Sequence, residues 1–547
     1  MERTRRMSRV SRKKVALGVT ALTATAVAGA LTVTQLSGDG PARDTDRTAP
    51  PDDGRPRATA PSAPATPDSP RVAPAPEPRT IPAIRDWTPG RGPGWEPAKG
   101  SRVVADPKGP LTDEARLLAR ELKVRYSPGP ARAGDVELAL RTAAPGGREA
   151  YELVTEDERV TITGGAEAGV FYGTRTLLQS VRDRGRISEG VIRDRPDRPQ
   201  RGMTLDIARK HFSAEWIEAR IREMADLKLN QLQLHLSDDQ AFRIESDSHP
   251  EVVSDPHLTK AEIRRIVKLA ASLHIAVIPE IDSPGHLGAV LAAHPDLQLR
   301  DVNGKPVRGA IDIAQPKAAR IIDDLLNEYA PLFPGTYWHL GGDEYAALFA
   351  RNPEAAHPGL HRAAQRKYGD RATVQDLATG WLNDRAAVVR GHGKTPQVWN
   401  DGMHRGGVVT PHRDREVTYW TGKEIGAREP EEYLREGWNI VNLNDEYLYY
   451  VLGEPHDFTY PTGRRIYEEW TPAVLRGTKP VPESMAGPDR IVGGRFAIWC
   501  DLAGAQTTEQ VAEGIRLPLR AVSQKLWDPR EPKRSWADFK KLADRVE

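Results

Sequence analysis

From Arg201 onward the chain repeats one rhythm, a short apolar run, a polar loop and a helical stretch, and this rhythm limits the fold more than any other feature. The apolar runs are Met203–Ile207, Gln231–Leu236, Ile275–Ile281, Tyr337–Leu340, Gln397–Trp399, Val417–Trp420, Asn439–Leu443 and Phe496–Trp499. Helical spacing occupies 213–228, 259–273, 315–329 and 373–390 between them. Short apolar runs with helical stretches between several of them read as strands joined by crossover helices, which keep such strands parallel. Eight of them predict an α/β fold, a closed (β/α)8 TIM barrel over 198–547.

Residues 81–197 read differently. A helical pattern at 111–122 is followed by strand-like runs at Val136–Leu140, Tyr151–Thr155 and Arg159–Thr163, then by an amphipathic stretch from Ala166 to Val181. These predict a small α+β accessory domain. Residues 37–80 carry eleven prolines in 44 positions, so they predict an extended disordered linker that cannot bury enough apolar area to order itself. Ahead of it, seven basic side chains among residues 1–14 precede the uncharged run Val15–Leu36. That layout predicts an export signal, with Ala26-Val27-Ala28 as a cleavage site, or a single membrane anchor over 1–36. Secretion is the expectation, with membrane contact only through this segment if it is not removed.

Charge and cysteine content narrow the function. The formal charge is +2, and the basic N-terminus exceeds that by itself, so the remainder is slightly acidic and offers no nucleic-acid surface. Cys500 is the single cysteine, which excludes a disulfide framework and a thiolate metal cluster.

Polar residues gather at the ends of the strand-like runs. These are Asp206 and Arg209, then His235, Asp238, Asp239 and Gln240, then Glu280, Asp282 and His286, then Asp343 and Glu344, and finally Trp499 and Asp501. A barrel enzyme builds its site from the C-terminal ends of its strands, so these segments converge if the barrel forms. Gly341-Gly342-Asp343-Glu344 allows a tight backbone turn carrying two adjacent carboxylates. Like charges at that spacing raise one pKa, which suits an acid beside an anionic stabiliser. Trp399, Trp420 and Trp499, all at strand ends, would make an apolar wall against a sugar ring.

These segments together resemble glycoside hydrolase family 20, the β-N-acetylhexosaminidases. The matching stretches are Arg201 to Arg209 (RGMTLDIAR), His235 to Gln240 (HLSDDQ), Pro279 to His286 (PEIDSPGH) and Gly341 to Glu344 (GGDE). Gly169 to Gln179 (GVFYGTRTLLQ) resembles the family's accessory domain. The resemblance implies a retaining, substrate-assisted reaction in which the substrate's 2-acetamido oxygen is the nucleophile and an oxazolinium ion forms. It implies Glu344 as general acid and base, Asp343 as the residue holding the acetamido N–H, and Tyr447 as the tyrosine on the acetamido oxygen. Arg201 matches the arginine on the sugar hydroxyls, Asp238, Asp282 and His286 a supporting relay, and the three tryptophans the walls of the sugar site. The implied partner is an oligosaccharide or glycan bearing β-linked N-acetylhexosamine, with no cofactor and no metal.

Two positions depart from many relatives. Tyr449 stands two residues after Tyr447, where an acidic residue or Asn is common, and Asp501 stands where exo-acting relatives carry Glu. Asp501 and Glu344-Tyr345 look more like the lacto-N-biosidase branch, which releases a Gal-β1,3-GlcNAc disaccharide. Other readings are a metal-dependent barrel hydrolase using His235, Asp238, Asp282, His286 and Asp343, and a non-catalytic glycan-binding protein. The histidines outside these segments carry no signal in the sequence.

Overall fold

The computed structural model describes residues 73–141, 146–422 and 427–547. The segment read as signal or anchor, and most of the proline-rich linker, lie outside the described residues. Among the described residues no helix is long and apolar enough to cross a membrane.

Eight parallel strands close into a barrel: Gln200–Asp206, Gln231–His235, Ala276–Glu280, Tyr337–His339, Thr395–Trp399, Glu416–Tyr419, Ile440–Asn442 and Ile491–Trp499. The eighth strand pairs with both the seventh and the first, which removes every sheet edge. All eight expected runs are strands. The first and last extend further toward their N-termini than their apolar residues suggest, because Gln200, Arg201 and Arg495 are buried in spite of being polar.

The lower barrel interior explains those buried polar residues. Arg495 is fully buried and donates to the side-chain oxygens of Gln233 (2.6 Å), Gln397 (2.7 Å) and Gln231 (2.9 Å). Gln200 and Gln397 in turn each donate to Glu416 at 2.8 Å. Burial lowers the Arg495 pKa to about 10, with Glu416 opposing that fall. A buried charge persists when its donors are satisfied, and here neutral amides do most of that work.

The accessory domain is a seven-stranded mixed sheet, ordered Asp86–Pro89, Gly190–Asp194, Tyr151–Glu156, Arg159–Gly164, Val136–Leu140, Arg102–Val104 and Arg125–Tyr126. The two- to five-residue strands 86–89, 102–104, 125–126 and 190–194 escape sequence periodicity because they are too short to display it. Helix Glu167–Arg184 packs on this sheet and on the C-terminal helix Trp536–Val546. The segment 73–80, read from composition as the end of the spacer, is attached to this domain. Ala75 N–H donates to Gly90 O at 2.9 Å, Arg79 pairs with Asp183 at 2.7 Å, and Thr80 and Ile81 are buried.

Candidate functional site

Strand register creates the floor of the site. Asp206 lies opposite His235, His235 opposite Glu280, and Glu280 opposite His339, so four polar side chains form a row at the C-terminal rim. Glu280 is the centre of that row. Its carboxylate lies 3.1 Å from both His235 Nδ1 and His339 Nδ1, and it accepts from Gln233 (2.7 Å) and from the Trp399 indole N–H (2.8 Å). Burial alone would raise Glu280, but His339 and His235 hold it well below the usual carboxylate range. Burial opposes protonation of His235, yet Glu280 and Asp238 raise its pKa to about 10.

The loop after the fourth strand carries the paired acids in a constrained backbone. Gly341 (φ 67°), Gly342 (φ 99°) and Glu344 (φ 46°) all occupy the left-handed region. A Cβ on Gly341 would overlap the Asp282 carboxylate, so glycine is needed there. Glu344 has no such freedom, and its conformation is backbone strain held by its surroundings. Gly342 N–H donates to Asp282 Oδ1 at 2.8 Å and Glu344 N–H to Asp401 Oδ2 at 3.0 Å.

His286 joins the acids. Its Nδ1 lies 3.3 Å from Asp238, and its Nε2 lies 3.3 Å from Glu344 and 3.7 Å from Asp343. Burial works against a charged imidazole, but Asp343 and Asp238 raise its pKa well above the ordinary value. Asp238 stays well below its usual range in spite of burial, because His286, His235 and Arg209 face it. Burial, then the neighbouring Asp343, pushes the Asp282 carboxyl well up. Burial also raises Asp343, against the pull of His286. The hydrogen bond from His286 lowers Glu344, whose side chain is 41% exposed while that of Asp343 is 16% exposed.

An aromatic cage stands beside the acids. The Trp499 ring lies 5.9 Å from both the Trp399 and the Tyr449 rings, and Trp420 stacks on Tyr449 with parallel rings at 5.7 Å. The short strand Tyr449–Val451 pairs in parallel with the upper end of the eighth strand, and this brings Tyr449 to the cage. Asp343 and Asp401 help raise the Tyr449 hydroxyl, after burial, which places it within their field. Tyr447 is elsewhere. It is buried, its hydroxyl donates to Glu469 at 3.3 Å, and Arg465 lies over its ring. Tyr449 therefore occupies the place expected for Tyr447. The residue two positions on is then Val451, buried in the same cluster, so the apparent departure at Tyr449 is replaced by an apolar residue at 451.

Arg201 is also displaced from its expected role. It sits at the N-terminal end of the first strand, fully buried, and pairs with Glu149 of the accessory domain at 2.8 Å. It also donates to the backbone carbonyls of Lys228 and Arg198. The arginine at the C-terminal rim is Arg209, which pairs with Asp238 (2.8 Å) and Asp206 (3.0 Å) and lies 5.7 Å over the Trp499 ring. Asp501 is exposed beside it, raised by burial of its carboxyl and opposed by Arg209. Asp401 was not singled out by the sequence. It accepts from Glu344 N–H and from the Trp420 indole N–H at 3.0 Å, and burial, then Asp343, raises it to about 7. Its only sequence signal is its place just after a strand-end tryptophan. Tyr345 is buried and donates to Ile311 O at 2.9 Å, so it braces the loop.

A cavity of about 650 Å³ opens beside Glu344, lined in part by Phe349, Asp401, Arg405, Arg428 and Tyr433. Glu344 lines this cavity, whereas its neighbour Asp343 does not.

The catalytic-domain model of glycosyl hydrolase family 20 matches residues 199–529. The chain belongs to glycosyl hydrolase family 20. That family's domain 2 matches residues 77–195, the accessory sheet and its helices. A lacto-N-biosidase of Bifidobacterium bifidum is 30% identical over 479 residues, covering 86% of this chain and 41% of that protein. A β-hexosaminidase of Porphyromonas gingivalis is 27% identical, covering 79% of this chain and 58% of that protein. The chain thus spans about half the length of these two relatives. The structure of a family 20 β-N-acetylhexosaminidase from Streptomyces coelicolor superposes with a TM-score of 0.69 at 26% identity, covering 86% of this chain and 95% of that one.

As a family 20 site the arrangement is equipped for acid–base work beside a cation-stabilising carboxylate. Asp282, His286 and Asp343 come close enough to hold a metal ion. Their other contacts give them a structural use: Asp282 accepts from the Gly342 N–H, and His286 bridges Asp238 to Glu344.

Proposed function

We propose that this family 20 protein is a retaining glycosidase that removes a terminal β-linked N-acetylhexosamine from glycans by substrate-assisted catalysis. The observation that carries the reading is the division of labour on one strained turn. Asp343 is the more buried of the two, its side chain 16% exposed, while its neighbour Glu344, 41% exposed, lines an open cavity.

The sugar ring stacks in the cage of Trp399, Trp420, Tyr449 and Trp499, with Arg209 on its hydroxyls. The ionised Asp343, fixed by Asp282 and His286, accepts the acetamido N–H, and the Tyr449 hydroxyl donates to the acetamido oxygen. That oxygen attacks the anomeric carbon and the glycosidic bond breaks. A held internal nucleophile avoids the entropy of bringing in a second molecule. Glu344 gives its proton to the leaving oxygen and later takes one from the water that opens the oxazolinium ion. In the free site the proton resides on His286, 3.3 Å from Glu344. A leaving group seated in the cavity covers the exposed Glu344 carboxylate, and that desolvation favours transfer of the proton to it.

A second reading is release of a Gal-β1,3-GlcNAc disaccharide. Asp501 favours it: an aspartate beside Arg209 is one methylene shorter than glutamate and leaves more room at the outer end of the sugar. The basic and then uncharged residues 1–36 support an exported enzyme acting outside the cell.

The test offers p-nitrophenyl β-GlcNAc and p-nitrophenyl β-lacto-N-bioside side by side, with chelator present. Release from the first supports the exo-hexosaminidase, and release of intact disaccharide from the second alone supports the second reading. A trifluoroacetamido substrate weakens the internal nucleophile, so its rate falls steeply if the acetamido oxygen attacks. Equal rates for the two amides would overturn the mechanism.

A further inference from the structure

A histidine–carboxylate cluster lies outside the reaction centre and shares no residue with it. His249 and Glu251 belong to the long connection after the second barrel strand, and His294 caps the helix Gly288–Ala293 after the third. Glu251 Oε1 is the meeting point. It lies 3.1 Å from His249 Nδ1 and 2.9 Å from His294 Nε2, and one donor atom from each of the three residues falls within 4.8 Å of the others.

The spacing suits an ion. In a tetrahedral site with metal–ligand bonds of ~2.0–2.1 Å, ligand atoms stand roughly 3.3 Å apart. The two nitrogen-to-oxygen separations are within a few tenths of an ångström of that edge. The imidazoles are fixed: their side chains are 14% and 15% exposed, whereas Glu251 is 43% exposed and leaves an open side for entry. A further carboxylate stands behind the cluster. His249 Nε2 lies 3.3 Å from Asp324 Oδ2, on the helix Pro316–Tyr329. A carboxylate on the far nitrogen of a ligating histidine fixes its tautomer and strengthens it as a donor. The rings stand edge to face at 85°, with centroids 6.3 Å apart.

We propose that His249, Glu251 and His294 form a site for a divalent late first-row metal, zinc above all, with Asp324 orienting His249. Two imidazoles and one carboxylate are a donor set that favours zinc over magnesium or calcium. The bound ion ties the loop that carries Asp238 to the loop that carries His286. Its role is to brace the catalytic face, and it takes no part in bond cleavage.

The experiment uses the whole chain, prepared without a histidine tag and stripped with chelator. Zinc is titrated by calorimetry, and cobalt by its visible absorbance. The expected result is one zinc per chain, a Tm that rises with zinc concentration, and cobalt bands of low coordination number. His294→Ala and Glu251→Gln each abolish the binding, and Asp324→Asn weakens it about tenfold. The variants keep the Tm and activity that the wild type shows in chelator, which establishes that they fold. Zinc binding that is absent in the wild type, or that survives unchanged in both ligand variants, would overturn the proposal. The latter outcome would assign the ion to Asp282, His286 and Asp343.

Discussion

The two ends of the barrel handle buried charge in opposite ways. At the N-terminal end the buried cations along the joint with the accessory domain have their own partners: Arg201 has Glu149, Lys228 has Asp194 at 3.3 Å, and Arg175 has Glu121 and Asp226. The accessory domain covers that end and supplies Glu149 and Asp194. At the C-terminal end Asp206, Asp238, Asp282, Asp343, Glu344 and Asp401 crowd round Arg209 and His286. Acids outnumber cations there, and burial, with the neighbouring Asp343 adding to it, drives Asp282 and Asp401 upward. Matched pairs make a joint, whereas an unbalanced cluster stores proton affinity that a reaction can use. Removing a charge should therefore cost stability at the lower end and activity at the upper end.

The sharpest test is at the mouth. Glu344→Gln and Asp343→Asn should each reduce kcat/KM on substrates with poor leaving groups by about 10²- to 10⁴-fold, with Tm unchanged or raised. Steady-state kinetics on folded protein, beside a melting curve, reads both quantities. Loss of Tm in proportion to activity would erase the contrast between the two ends.

Arg201→Ala should do the reverse. It leaves Glu149 without its guanidinium partner, and the expected cost is about 3 kcal/mol, measured by urea denaturation. The folded fraction should keep its kcat/KM. A raised KM at unchanged stability would return Arg201 to the sugar site.

Tyr449→Phe should reduce kcat by about 10²-fold, since it removes one donor to the developing charge, while Tyr447→Phe should stay within about twofold. Equal losses would mean that the alternation along Tyr447 to Tyr449 does not decide the site.

The smallest effect is a pH dependence. Asp401 has a folded pKa of about 7, well above the ordinary carboxylate value. Between about pH 4 and pH 7 the folded protein therefore retains a proton that the unfolded chain has lost, and stability falls as pH rises through that window. Asp401→Asn does not titrate, so its Tm should exceed that of the wild type by about 2 °C at pH 8 and match it near pH 4. A difference independent of pH would remove Asp401 from the unbalanced cluster.

Much of this was legible in the residues. Eight apolar runs separated by helical stretches determine a parallel barrel, because parallel strands require crossovers and closure removes their edges. Once the strands are parallel, every C-terminal end faces one way. Asp238, Asp282, His286, Asp343, Glu344 and the three tryptophans must then converge wherever the register falls.

Direction and rotation were not legible. RGMTLDIAR offers an arginine at each end, and a seven-residue strand at ~3.3 Å per residue holds its ends about 20 Å apart. Only the covering of one end by the accessory domain shows that Arg201 belongs to the joint and Arg209 to the site. The choice between Tyr447 and Tyr449 waited on a three-residue strand pairing with the eighth. Asp401 gained its place through contacts with Trp420 and Glu344 across two loops. His249, Glu251 and His294 are brought together by two connections that only the barrel makes neighbours. Composition and periodicity encode which surfaces must be buried, whereas the pairing of one charge with another depends on the distance between them, and the folded chain alone sets that distance.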